Sequence, residues 1–518
     1  MSSRNPGTGW IILGQVSGFT IIDMIAQRFR SVTLARTALV ALGATFWLAG
    51  CSGTNTFLAP TGLDAVGEAA GTPATATTAA PMPATTALRP VSFAATPDRN
   101  KDIDDVYAAA FPFYAELCAL SEIQKKPGFG AEFSSGFGGH AVLYLNGVCR
   151  VTDAGYPTIK LCDGDAADQG VGLSVNDHFK NANWVATEGK SFLFYGALKP
   201  GEAVTPASYR RTQAAAMRQG IFDGVEFHDE FFAKMPAGTS RRAYMYELSI
   251  ATDYAANFGR DRYCARVPMA REQMGRMVAY LNAANAPYRQ GKKEFRWNVL
   301  SNNCSHLTHN ALAAAGVWDT IDMDRPFFIS AFEFPVPKNE FVNLMQRTND
   351  MPLDNPLALY GDETARQNLL EHDYLPMHPG ALAEAAPVVA DNVIYETHPR
   401  LIFYDPIGRY QRAFEAMLAD PRYLDLRANF NYFAALYQRI KAERKPLAWY
   451  EERRKITAAE AADFAAFYDR YYAYIDRQSS AVEAQIAALS KTPPANGATL
   501  IGASLGAVPT AATATVQP

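Results

Sequence analysis

The sequence predicts an α+β fold, and three observations point there. Between about residues 100 and 320, strand-like apolar runs are grouped between helical ones. Beyond about residue 320 the strand signal fades and helical periodicity remains. At both ends the chain turns to Ala, Thr, Pro and Gly, a composition that cannot bury enough apolar surface to offset its ordering entropy. At 518 residues the chain exceeds a single core, so two structured units plus tails are expected. They are placed at 101–320 for the mixed domain and 321–490 for a helical region. A disordered tether over 51–100 and a disordered tail over 491–518 flank them.

Taken in order, "DDVYAAAFPFYAELCAL" (104–120) reads as a helix and "HAVLYLNGVCRVT" (140–152) as a hairpin. "SFLFYGAL" (191–198) reads as a strand. In "TPASYRRTQAAAMRQG" Thr205 is an N-cap, Pro206 holds the first helical position, and Gly220 is the stop. "RAYMYELSI" (242–250) and "RYCARV" (262–267) read as strands, followed by the helix "MAREQMGRMVAYLNAAN". Three later runs, starting at Asp405, Leu424 and Thr457, are helical. The last opens on "TAAE", a capping box of Thr457 and Glu460. Its Phe464, Phe467, Tyr468, Tyr471, Tyr472 and Ile475 recur at helical spacing and read as a packing face rather than a ligand box.

The formal net charge is -4, and no block of basic residues stands out, so a nucleic-acid partner is disfavoured. Residues 1–50 have the layout of an export signal. Arg28, Arg30 and Arg36 precede the apolar run "TALVALGATFWLAG", which is too short to span a bilayer comfortably. The residues before Met24 are superfluous to such a signal, leaving Met1 and Met24 both open as the start. "LAGC" (Leu48 to Cys51) resembles the bacterial lipobox. That resemblance implies cleavage before Cys51, acylation of its thiol, a membrane partner through that lipid, and a periplasm-facing protein. With Ser52 next, it implies the outer membrane. An ordinary signal peptide or a buried helix is the blander alternative.

Export changes the meaning of the cysteines. With Cys51 assigned to lipid, Cys118, Cys149, Cys162, Cys264 and Cys304 remain. An oxidising compartment permits disulfides among the first four, in a connectivity the sequence does not choose. One cysteine is left over as a candidate reactive thiol.

The stretch "SNNCSHLTHNALAAAG" (301–316) singles out Cys304. Alanine-rich propensity predicts a helix, Gly316 its C-terminal stop, and Cys304 its first turn, where unpaired N–H groups and the dipole favour a thiolate. Asn302 and Asn303 are placed to cap that helix or donate to an oxyanion. Upstream, Asn146-Gly147 is a strong signal for a two-residue type I′ turn. If it forms, Leu145 faces Val148 and His140 lies opposite Asp153, so a carboxylate would orient the imidazole; a one-residue bulge would substitute Thr152 or Ala154. That makes a nucleophile, base and orienter from three segments. Gly138 and Gly139 would permit close approach.

A histidine opening a strand as "GHAVLYLNG", followed far downstream by "NNCSH" at a helix start, resembles the permuted papain-like superfamily. Its members include lecithin-retinol-acyltransferase-type enzymes and relatives of NlpC-type cell-wall peptidases. The resemblance covers roughly residues 136–153 and 297–316. It implies a papain-like antiparallel sheet with a nucleophile-bearing helix, needing no cofactor. Cys304 is then the nucleophile, His140 the base and Asp153 a third polar residue, acting on amide bonds of peptidoglycan or acyl groups of lipids.

Other readings stand beside this. Cys304 is alternatively an inert buried thiol, and His140 a structural histidine. His306 and His309 sit three apart on one helix face, but the spacings expected of a zinc site are not met, so no metal is assigned. His228, among the acids of "DGVEFHDE", reads as part of a solvated turn. The functional alternative to a hydrolase or acyltransferase is a non-catalytic envelope lipoprotein whose helical region recruits a protein partner.

Overall fold

Six strands make one antiparallel sheet: β1 (Tyr114–Leu120), β2 (His140–Asn146), β5 (Gly170–Ser174), β6 (Val185–Glu188), β7 (Arg262–Pro268) and β8 (Leu382–Ala386). Their order is β6-β5-β2-β1-β7-β8, while β3 (Val148–Arg150) and β4 (Ile159–Leu161) pair separately. The structure, a computed structural model, describes residues 107–129, 139–151, 156–163, 169–322, 335–405, 408–453 and 456–491. The expected signal segment, Cys51, the expected tether, Gly138, Asp153 with its neighbours Thr152 and Ala154, and the residues beyond 491 lie outside the described residues. All described residues fall in one compact unit, Pro60–Pro518.

The expected helix over 104–120 is corrected: among its described residues 107–110 are helical, and Tyr114–Leu120 is the central strand β1. Ala, Glu and Leu favour a helix locally, but all seven β1 residues are buried and both edges are paired. Tertiary pairing thus overrides a weak propensity. Cys118 lies directly opposite Cys264 on β7, and the two form a disulfide.

The hairpin at Asn146-Gly147 is also corrected. β2 pairs with β1 and β5 and not with β3. A type I′ turn needs positive φ at both central residues, and only Gly147 has it, at 80°. The chain instead bends from the large sheet into β3, with Gly147 N–H donating to Gln169 O at 2.7 Å. A Cβ on Gly147 would sit 2.5 Å from the Phe113 ring, so glycine is required there for close approach. The Cys149–Cys162 disulfide fastens β3 to the chain after β4.

Two expected strands are helices: α1 (Lys190–Tyr195) and, beyond α2 (Pro206–Gln219), α3 (Arg241–Ser249). Aromatic content suggested strands, yet Ser240 caps α3 by accepting from Ala243 N–H, and Tyr244, Met245 and Leu248 fall on one helical face. α2 follows the expectation, with Thr205 as cap, Pro206 first, and Gly220 left-handed at φ 65°. α4 (Arg271–Arg289) and α5 (Cys304–Ala314) follow it too.

The sheet is covered on both faces. Ala115, Leu117, Ala141, Leu143 and Ala265 pack with Leu307 and Ala311 of α5 and with Phe341 and Val342 of α6 (Pro337–Asn349). Tyr114, Cys118, Val142, Tyr144 and Cys264 pack with Leu193 and Phe194 of α1. On that second face a buried ion network of Glu116, Lys190, Arg262, Arg266 and Glu384 ties β1, β7 and β8 to α1, with Arg262–Glu384 at 2.6 Å and Lys190–Glu116 at 2.8 Å.

Past residue 350 come α7 (Pro356–Gly361), α8 (Glu363–His372), α9 (Arg409–Ala419), α10 (Leu426–Ala442), α11 (Leu447–Glu452) and α12 (Ala461–Lys491). The aromatic stripe of α12 is buried against α10 residues Phe430, Phe433 and Tyr437, the packing role expected of it. The boundary near 320 does not divide the sheet from the rest, because α6 lies on β1 and β7, and β8 is the sheet's edge strand. No described helix is long and apolar enough to cross a membrane.

Candidate functional site

Cys304 is the free cysteine among the described residues. It opens α5, and Asn303 is the N-cap, its Oδ1 accepting from Ser305 N–H at 2.8 Å and His306 N–H at 3.1 Å. Asn303 Nδ2 donates to Val299 O at 2.6 Å, and Asn302 Nδ2 to Arg296 O at 3.3 Å. Each side-chain amide thus has one of its two N–H donors placed on local backbone. Capping is what Asn303 does.

The thiol meets the start of β2. Ala141 N–H donates to Cys304 Sγ at 3.4 Å, where β2 has not yet begun its pairing with β5. Covalent geometry then puts the sulfur within about 6 Å of the His140 Cα. The donor to sulfur is thus the backbone beside His140 rather than the imidazole itself.

His140 is oriented by a chain of hydrogen bonds that the sequence did not reveal. Its Nε2 lies 2.9 Å from Ser174 Oγ on β5, and Ser174 Oγ donates to Asp253 Oδ1 at 2.6 Å. Asn176 Nδ2 donates to Asp253 Oδ2 at 3.0 Å. Ser174 has one hydroxyl proton, and it goes to Asp253. The hydroxyl oxygen must therefore accept from His140 Nε2–H, which leaves Nδ1 as the unprotonated nitrogen. β1 residue Leu120 stands opposite His140, and Ser174 with Asp253 supplies the hydrogen bonds at its ring. No motif marked Ser174 or Asp253; only the β2–β5 register brings the first to His140.

Burial sets the electrostatics. It pushes the Cys304 thiol up, against the N–H groups of Ala141, Ser305 and Cys304 that favour the thiolate. Burial, with the Arg260 charge added, pulls His140 down to about 3. Burial thus opposes both the thiolate and the imidazolium, and at Cys304 desolvation outweighs the preference of the helix start for an anion. Burial raises Asp253 to about 6, opposed by its hydrogen bonds from Ser174 and Asn176. Arg260, lowered by burial to about 10, keeps its charge at neutral pH, and its field acts on both Cys304 and His140.

The other histidines singled out in the sequence lie elsewhere. His309 Nδ1 lies 2.6 Å from Glu340 Oε2, Nε2 lies 2.9 Å from Asp319 O, and the ring stacks on Trp318. His306 is buried inside α5's packing face. His228 is not in a solvated turn: it is buried, with Nε2 at 2.8 Å from Phe295 O.

Compared with protein-family models, curated proteins and solved structures, the chain matches none.

Proposed function

We propose that this chain is a thiol hydrolase or acyltransferase with a papain-like arrangement, acting on amide or ester bonds of cell-envelope material. It would be held at the periplasmic face of the membrane by a lipid on Cys51. The observation that carries the reading is the Ala141 N–H to Cys304 Sγ hydrogen bond at 3.4 Å, which seats the free thiol one residue from an imidazole.

The chemistry follows from the tautomer. His140 Nδ1 takes the thiol proton as the sulfur attacks the carbonyl carbon, forming a C–S bond and an oxyanion. The N–H groups of Cys304 and Ala141, which favour the thiolate, would donate to that oxyanion. Collapse expels the amine or alcohol, which takes the proton from His140. Water or another acceptor then attacks the thioester, restoring the thiol. Ser174 and Asp253 hold the ring and disperse the imidazolium charge. A thiol-directed electrophile tests the site: labelling should centre on Cys304 and vanish in Cys304→Ala, and labelling that persists unchanged refutes it.

One observation favours a second reading, a non-catalytic envelope protein. Cys304 is 7 % exposed, and burial opposes charge on both it and His140. Cys304→Ser separates the two: it abolishes hydrolysis under the first reading and leaves cellular function intact under the second.

A further inference from the structure

Lys338 breaks two rules at once. A lysine in the first turn of a helix faces the positive end of the macrodipole, where an acid is normally favoured, and a buried ammonium is normally paired. Lys338 is 1 % exposed, and its Nζ has no hydrogen-bond partner among the described residues. The helix start is otherwise bare, since N-cap Val336 supplies no side-chain cap, and Glu340, the acid in the turn, is taken by His309. Charge from Glu122 and Asp261 reaches Lys338 without ion-pairing it, and Asp261 Oδ1 already accepts from Val388 N–H at 2.8 Å.

The place of this amine matters. Nζ lies 3.4 Å from where a Cβ on Gly139 would stand, immediately before His140. The other buried cation at the site, Arg260, already donates to Ala251 O, Ser121 O and Thr252 Oγ1. Lys338 Nζ, by contrast, has no partner among the described residues.

We infer that Lys338, at the start of α6 beside Gly139 and His140, is the docking point for a carboxylate carried by the substrate. The inference deepens the thiol-hydrolase reading and rests on it for the word substrate. One ammonium and one uncapped helix end supply roughly one and a half positive charges, enough for a monoanion. A carboxylate ends a chain and reaches a buried point head-on, whereas a phosphodiester is flanked by groups on both sides. The substrate class is therefore an acyl or peptidyl amide with a free carboxylate near the scissile bond. Burial pulls Lys338 down to about 7, so a bound anion also recharges the amine.

Calorimetry on the full chain with N-acetylglycine tests this, with N-acetylglycinamide and dimethyl phosphate as comparison ligands. A hydrogen bond to a charged group contributes about 1.5–3 kcal/mol, so Lys338→Met should weaken N-acetylglycine roughly ten- to a hundredfold while Lys338→Arg retains most of the binding. In parallel, Lys338→Met should slow alkylation of Cys304 by iodoacetate at least about tenfold relative to iodoacetamide, by the same arithmetic. Equal N-acetylglycine binding in Lys338→Met, or tighter binding of dimethyl phosphate than of N-acetylglycine, overturns the inference. Failure of iodoacetamide to label Cys304 instead overturns the thiol reading and leaves the calorimetric result standing by itself.

Discussion

The hydrogen-bond chain makes a specific claim about pH. Above about pH 6 an ionised Asp253 takes the Ser174 proton, Ser174 accepts from His140 Nε2–H, and Nδ1 is free to act as base. Below it, a protonated Asp253 has its own proton to give. The Ser174 hydroxyl then turns toward Nε2, and the tautomer carrying Nδ1–H is favoured. The acidic limb of Cys304 reactivity should thus have its midpoint near 6, set by Asp253, and not near the His140 value of about 3. Asp253→Asn removes the titrating group. The lost bond, 2.6 Å to a carboxylate, is of the charged kind that contributes about 1.5–3 kcal/mol, which is a ten- to hundredfold lower rate at pH 8. Iodoacetamide alkylation followed by intact mass reads this across about pH 5 to 8, the range bracketing an unperturbed imidazole. Asp177, also raised to about 6 by burial and by the Asp253 charge, titrates in the same window, so Asp177→Asn is the control that should keep the limb. A limb unmoved by Asp253→Asn, or lost in Asp177→Asn, refutes the tautomer argument.

Three stability predictions accompany it. The Cys118–Cys264 bridge closes 146 residues and Cys149–Cys162 closes 13, so chain entropy gives about 5 and about 3 kcal/mol; thermal melts of the two Cys-to-Ala pairs should show the larger loss for the first. His140 and His178 are both pulled down to about 3 by burial, so the unfolded chain binds protons that these rings refuse. Their stabilisation is complete above the unfolded pKa of about 6.5 and is lost toward pH 3, by up to about 5 kcal/mol each; a urea midpoint that stays flat from pH 6.5 to 4 contradicts this. Asp253 acts with the opposite sign, its penalty vanishing as pH falls below 6. Gly139→Ala places a Cβ 2.1 Å from Leu120 O at φ 77°, forcing β1 and β2 apart where His140 begins; a loss of about 1–3 kcal/mol and slower Cys304 alkylation are expected.

What the sequence disclosed was local. The α5 start with its Asn303 cap, the α2 caps and the α12 packing face each depend on residues within a few positions of one another. What it hid was register. "YAELCAL" has helical propensity and becomes a central strand because both its edges find partners. Asn146-Gly147 has hairpin chemistry, but both edges of β2 are taken by β1 and β5. The same registers decide the site, since Ser174 meets His140 across the β2–β5 edge and Asp253 follows from a loop with no motif of its own.

Lys338 is the extreme case of this limit. Nothing in "PKNE" marks its lysine, and only the packing of α6 against β1 and β7 buries it. A buried unpaired charge costs stability, so Lys338→Met should raise the melting temperature by several degrees, at about 4–8 °C per kcal/mol for a small domain and less for a chain this long. A side chain whose removal stabilises the fold is retained for a reason outside the fold. Here that reason lies one residue from His140. If Lys338→Met instead melts lower than the native chain, the amine has a structural partner after all, and the case for a carboxylate on the substrate loses its physical basis.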